Sequence, residues 1–111
     1  MIIKTFFLIL LFPILLSQAG FSENEIPKSA TISGFVRDAK NGETLTGAFI
    51  YPEENPGAGI TSNSYGYFSL TLPIGKYIII VQYLGYKVKT IPLELKENLK
   101  INVELEEESI P

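Results

Sequence analysis

Residues 61–86 constrain this chain more than any other stretch, because they read as turn, strand, turn, strand, turn. Asn63, Ser64, Tyr65 and Gly66 form a polar cluster closed by glycine, which lets the backbone reach positive φ. Phe68, Leu70 and Leu72 then alternate with Ser69 and Thr71, the period-two pattern of a strand with one buried face. Pro73, Ile74 and Gly75 supply a second turn, Pro setting φ and Gly free to turn left-handed. Residues 77–83 are the most β-prone run in the chain, and Leu84-Gly85 punctuates its end. This is a hairpin, and it carries no group suited to chemistry.

The remaining segments extend the same pattern. Residues 30–38 predict a first strand with Ile32, Gly34 and Val36 on one face, followed by a turn at Asn41-Gly42. Residues 47–51 predict a second strand stopped by Pro52, and residues 59–62 a short third after a Pro-Gly loop. A sixth is expected over residues 86–91, with Pro92 confining it to an edge or an end. Over residues 99–105, Leu99, Ile101, Val103 and Leu105 alternate with Lys100, Asn102 and Glu104, a seventh strand. No stretch sustains a 3.6 period, and turn signals recur at the spacing of an all-β sandwich.

On the fifth strand Tyr77, Ile79, Val81 and Tyr83 share the face predicted to point inward. Phe68, Leu70, Leu72, Ile32, Val36, Ala48, Ile50, Ile101 and Val103 are its expected core partners. The same assignment turns Phe35, Phe49, Tyr51, Ile78 and Ile80 outward, a candidate partner surface.

The N-terminus has a different character. Lys4 precedes an apolar run over residues 6–16, and Ser17-Gln18-Ala19 places small residues at a cleavage site, the three parts of a secretory signal peptide. A spanning helix needs about 20 apolar residues, so this run is too short to anchor the chain. The expected organisation is a signal peptide over residues 1–19, a flexible leader over 20–29 and a β-sandwich over 30–106. Residues 107–111 remain as an acidic tail or truncated linker. The mature chain is expected to carry no membrane span of its own, and with no Cys it must hold together by burial alone.

Absent residue types bound the chemistry. There is no His, no Cys and no Trp, which removes imidazole and thiolate metal sites and Ser-His-Asp or Cys-His catalysis. Glu53-Glu54 and Glu106-Glu107-Glu108 are adjacent carboxylates in a loop and a tail, not a pair held across a cleft. Residues 63–66 lack the carboxylates of a Ca²⁺ loop. The formal net charge of −3 argues against nucleic acid as a partner. No catalytic, cofactor-binding or metal-binding residue is therefore assigned, and the chain is read as no enzyme.

Taken in order, residues 32–38, 41–51, 61–70, Gly75-Lys76-Tyr77 and Leu84-Gly85-Tyr86 resemble the carboxypeptidase regulatory-like (transthyretin-like) domain. The version with Ser62-Asn63-Ser64-Tyr65-Gly66 and Tyr83-Leu84-Gly85-Tyr86 is most similar to the one preceding the plug and barrel of TonB-dependent outer-membrane receptors in Bacteroidetes-type bacteria. Leu45-Thr46-Gly47 lacks the Pro, and Asn63-Ser64 the Asp, of many relatives, and neither change threatens the fold. The resemblance implies a seven-stranded Greek-key sandwich, non-catalytic and without cofactor, in the periplasm or at the periplasmic face of the outer membrane. Its implied partners are envelope proteins, such as a plug and barrel or transport components. The chain is expected to be the N-terminal part of such a receptor; the alternative is a stand-alone exported module binding a glycan or peptide, with Phe49, Tyr51, Tyr65 and Tyr67 as candidate platforms.

Overall fold

Alternation along the chain converts into two facing sheets. The structure, a computed structural model, describes residues 27–109. The expected signal peptide and residues 20–26 of the expected leader lie outside the described residues. Strand β1 (Ser29–Asp38) is central to one sheet, antiparallel to β4 (Tyr67–Pro73) and parallel to β7 (Leu99–Lys100) and β8 (Val103–Leu105). The second sheet runs β3 (Ile60–Thr61), β2 (Phe49–Pro52), β5 (Gly75–Gln82), β6 (Lys89–Leu95), antiparallel throughout. A 3-10 turn (Pro56–Ala58) links β2 to β3.

The core lies between the sheets. From β1 come Ala30, Ile32 and Val36, from β4 Phe68, Leu70 and Leu72, from β8 Val103 and Leu105. Ile50 of β2, Ile79 and Val81 of β5 and Leu95 of β6 face them. Each large side chain so buried is worth about 1.5–3 kcal/mol against solvent exposure. Tyr77 and Tyr83 pack against this cluster from its margins, on the side of β5 that the alternation assigned inward.

The all-β two-sheet architecture agrees with the sequence reading, and three details differ from it. The sixth strand covers Lys89–Leu95 instead of residues 86–91, because residues 85–87 are held elsewhere: Tyr86 donates its N–H to the Tyr83 carbonyl, and Lys87 to the Glu106 carbonyl. It is an edge strand, as Pro92 requires. The expected seventh strand is two short ones, which makes eight strands among the described residues. Its interruption falls where Ile101 passes Gly34: a Cβ on Gly34 would lie 1.5 Å from the Ile101 carbonyl oxygen. Ile101 donates its N–H to the Ser33 carbonyl, while the side-chain oxygens of Asn98 and Asn102 accept from the Thr31 and Phe35 N–H groups. Side-chain amides thus replace backbone acceptors along this seam. Third, the described part of the expected acidic tail is tied down by its backbone, Glu108 donating to the Gly85 carbonyl and Glu107 bridging Tyr86.

Candidate functional site

Asp38, the last residue of β1, continues the inward face of that strand and is almost fully buried. A buried carboxylate must be hydrogen-bonded, and this one accepts from the Tyr86 hydroxyl at 2.6 Å and from the N–H groups of Lys40 and Asn41 at 2.7 and 3.0 Å. The Tyr86 hydroxyl, foremost, and then the Asn41 and Lys40 N–H groups hold Asp38 below the usual carboxylate range. The same hydrogen bond, with desolvation, pushes the Tyr86 phenol well above its ordinary value. Asp38 is therefore locked ionised and Tyr86 locked neutral at neutral pH. A general acid or base needs a pKa near the working pH, so this pair is a clasp between the β1 turn and residues 84–86.

Two other polar clusters are also structural. The Ser62 hydroxyl donates to the Leu45 carbonyl and accepts from the Ala48 N–H, fixing the entry to β2. The Asn63 side chain accepts from the N–H groups of Tyr65 and Tyr67, and Gly66 sits at φ +75° to close that turn. This is the turn expected from the glycine and the polar cluster. Among the described residues, no group of three carboxylate, His or Cys side chains is placed to hold a metal ion.

What the clasp holds is an apolar loop beside a groove. Leu84 is 96% exposed and Val88 57%, and a groove of about 490 Å³ runs past them between Phe49, Gln82 and Glu108. Tyr83 and Tyr86 pack edge to face beneath it, 5.4 Å apart. Behind the groove, on the outer face of the second sheet, Phe49 stacks on Tyr51 at 4.6 Å, and Gln82 donates to the Tyr51 hydroxyl. Gly59 runs so close over this stack that a Cβ there would lie 2.7 Å from the Phe49 ring.

The five residues expected outward are not one surface. Phe49, Tyr51, Ile78 and Ile80 share the outer face of the second sheet. Phe35 lies on the opposite outer face, edge to face with Tyr67 at 5.3 Å, with the Arg37 guanidinium 4.8 Å from its ring. Ile80 is only 7% exposed, because it sits between Tyr51 on β2 and Thr90 on β6. Of the aromatic residues weighed as platforms, Tyr65 is the most open, and it stands in the Asn63 turn, away from the Phe49–Tyr51 pair. Leu84 and Val88 escaped the sequence reading: Leu84 read as strand-end punctuation and Val88 as strand interior. Their exposure depends on hydrogen bonds to residues 106–108, which no local pattern carries.

Residues 32–110 match the family model described as the CarboxypepD_reg-like domain. No curated protein matches the chain. Solved structures similar to it include the cohesin–X-dockerin complex of Acetivibrio cellulolyticus, with TM-score 0.59 and 15% identity over 67% of this chain and 52% of that one. The Bacillus anthracis TIE protein aligns with TM-score 0.54 and 23% identity, over 71% of this chain and 17% of that one. A 3-chlorocatechol 1,2-dioxygenase of Rhodococcus opacus aligns with TM-score 0.56 and 12% identity, over 78% of this chain and 63% of that one. At these identities the likeness is one of fold, and the chain spans about half the length of the first of these structures.

Proposed function

The chain belongs to the CarboxypepD_reg-like domain family, and from that membership we propose that it is a periplasmic interaction domain, the N-terminal part of a TonB-dependent outer-membrane receptor. The domain itself is non-catalytic. The observation that carries the reading is the exposed Leu84–Val88 loop beside its groove, held by the Asp38–Tyr86 clasp. A loop this apolar and this firmly anchored suits protein contact, and apolar side chains presented on a fixed frame lose little entropy on binding. The residues at 62–66 and 83–86 that resemble the receptor-linked version support the receptor setting, as does the signal-like N-terminus.

The test is a photo-cross-linking residue at Leu84, expressed in a Bacteroidetes-type host. The expected adduct joins the chain to a plug, a barrel or a TonB-system component in the outer-membrane fraction. Cross-links only to non-envelope proteins, or a chain that fractionates away from the envelope, would sink the proposal. The alternative module predicts binding to a glycan or peptide that Tyr65→Ala and Tyr67→Ala weaken, since Tyr65 and Tyr67 are the exposed aromatics of the Asn63 turn.

A further inference from the structure

Strand β4 closes one sheet with an edge that is left open in its middle. Val36 donates its N–H to the Gly66 carbonyl, which makes Val36 and Gly66 opposed partners of the bonded kind. Bonded and non-bonded pairs alternate along an antiparallel ladder, so Gly34–Phe68, Ile32–Leu70 and Ala30–Leu72 exchange hydrogen bonds. The N–H and C=O groups of Tyr67, Ser69 and Thr71 therefore point away from β1. Those of Tyr67 are used by Asn63, whose side chain accepts at 3.0 Å and whose N–H donates at 2.9 Å. Pro73 has no N–H, and its carbonyl accepts from the Tyr77 hydroxyl at 2.6 Å. Between these two capped ends, Ser69 and Thr71 have no backbone partner on this side among the described residues.

The window is also undefended. Sheet edges are ordinarily guarded by charge, proline or brevity. β6 carries Lys89, Pro92 and Glu94, and β3 has two residues. β4 has seven residues, alternating cleanly, with no charge and proline only at its end.

We propose that this window is a self-association edge, at which β4 pairs antiparallel with β4 of a second copy of the chain. Its hydrogen-bonding set is self-complementary. A two-fold axis at Leu70 places Ser69 opposite Thr71 of the second copy, and each of these residues both donates and accepts. Pro73 then faces Tyr67 of the second copy, and neither of them has an N–H to offer. Hydroxyl side chains meet hydroxyl side chains with no like charges opposed, a favourable cross-strand pairing. A charged or highly specific partner would find nothing on this edge to read. Because the contact is a short ladder, well below the roughly 1,200 Å² of a stable interface, association is weak and concentration-dependent. Pairing at this edge does not depend on the receptor setting.

The full chain contains no Cys, so introduced thiols report without interference. Opposed residues of a bonded pair lie about 5.5 Å apart at Cα, within disulfide reach, while Ser69 lies farther from its own copy. Mixing Ser69→Cys with Thr71→Cys under mild oxidation is expected to give about tenfold more linked dimer than either variant alone. Both side chains are exposed, so the variants keep the fold. Ser69→Lys with Thr71→Lys is expected to abolish the dimer seen by sedimentation, and mixing it with Ser69→Glu and Thr71→Glu restores a mixed dimer. Equal cross-linking in all three thiol samples overturns the register. A wild-type chain that stays monomeric into the millimolar range, or one that binds an unrelated extended peptide instead, overturns the second copy as occupant.

Discussion

On the sheet built around β1, the outward row is mostly hydroxyl and charge, Thr31, Ser33 and Arg37 beside Ser69, Thr71, Lys100 and Glu104, interrupted by the Phe35–Tyr67 pair. On the sheet built around β5, its centre is apolar, Phe49, Tyr51, Ile78 and Ile80, with Lys76, Gln82, Thr90 and Glu94 around it. Their edges are reversed: the polar sheet ends in uncharged β4, the apolar one in β6 with its Lys, Pro and Glu. Where a face is sticky its edge is guarded, and where a face is wet its edge is open. A small sandwich without disulfides can expose either backbone or apolar side chain to a partner, and these two sheets divide the risk instead of sharing it.

Changes at the joints break this comparison most severely. Gly34→Ala drives a methyl into the Ile101 carbonyl and should unseat β7 from β1. A loss of about 3 kcal/mol or more in urea unfolding is expected, with amide protection lost first in the polar sheet. A midpoint unchanged from wild type would refute that joint.

Tyr86→Phe comes next, because it leaves Asp38 buried without its hydroxyl donor. Asp38 has a lowered folded pKa, so its stabilisation is present above its unfolded value near 3.9 and is lost as pH falls through the folded one. Tyr86 has a raised folded pKa, so its stabilisation is present below about 10 and is lost as pH climbs through the folded value. The variant should melt several degrees lower at pH 7 and show flatter acid and alkaline limbs. Melting curves from pH 2 to 11 check both.

Tyr51→Ala removes the Phe49 stack and the cover over Ile80, and should cost about 1–2 kcal/mol by chemical denaturation. Exchanging Lys89, Pro92 and Glu94 together for Thr should leave folding nearly intact but create a second self-associating edge, visible as concentration-dependent sedimentation. Smallest in stability is Leu84→Ser, expected within about 0.5 kcal/mol of wild type, since that side chain is 96% exposed. On the proposed reading its effect falls on partner binding instead, and a large destabilisation would show that Leu84 serves the fold.

The sequence showed the architecture wherever burial follows a local period. Ile32, Val36, Phe68, Leu70, Ile79 and Val81 alternate, and all are buried as expected. Features set by residues far apart in the chain stayed hidden. Asp38 reads as the start of a turn, and nothing near it predicts a hydroxyl from Tyr86. Val88 looks like strand interior until Lys87 is seen bonded to the Glu106 carbonyl. Ile80 occupies an outward position but is covered by neighbours on two other strands, a fact that only register reveals. The candidate surface suffered most, because exposure at a sandwich end depends on loops meeting across the molecule.

The parallel pairing of β1 with β7 and β8 has a mechanical consequence. The first and last strands lie side by side and run the same way, so the described chain enters at one end of the sandwich and leaves towards the other. Tension applied through those two ends would run along the strands, across the hydrogen bonds that join them. All of those bonds, with the Asn98 and Asn102 side-chain contacts, would then be strained together instead of peeling apart one by one. The domain is thus wired to resist being pulled, and would pass a tug from one end of the chain to the other as a nearly rigid link.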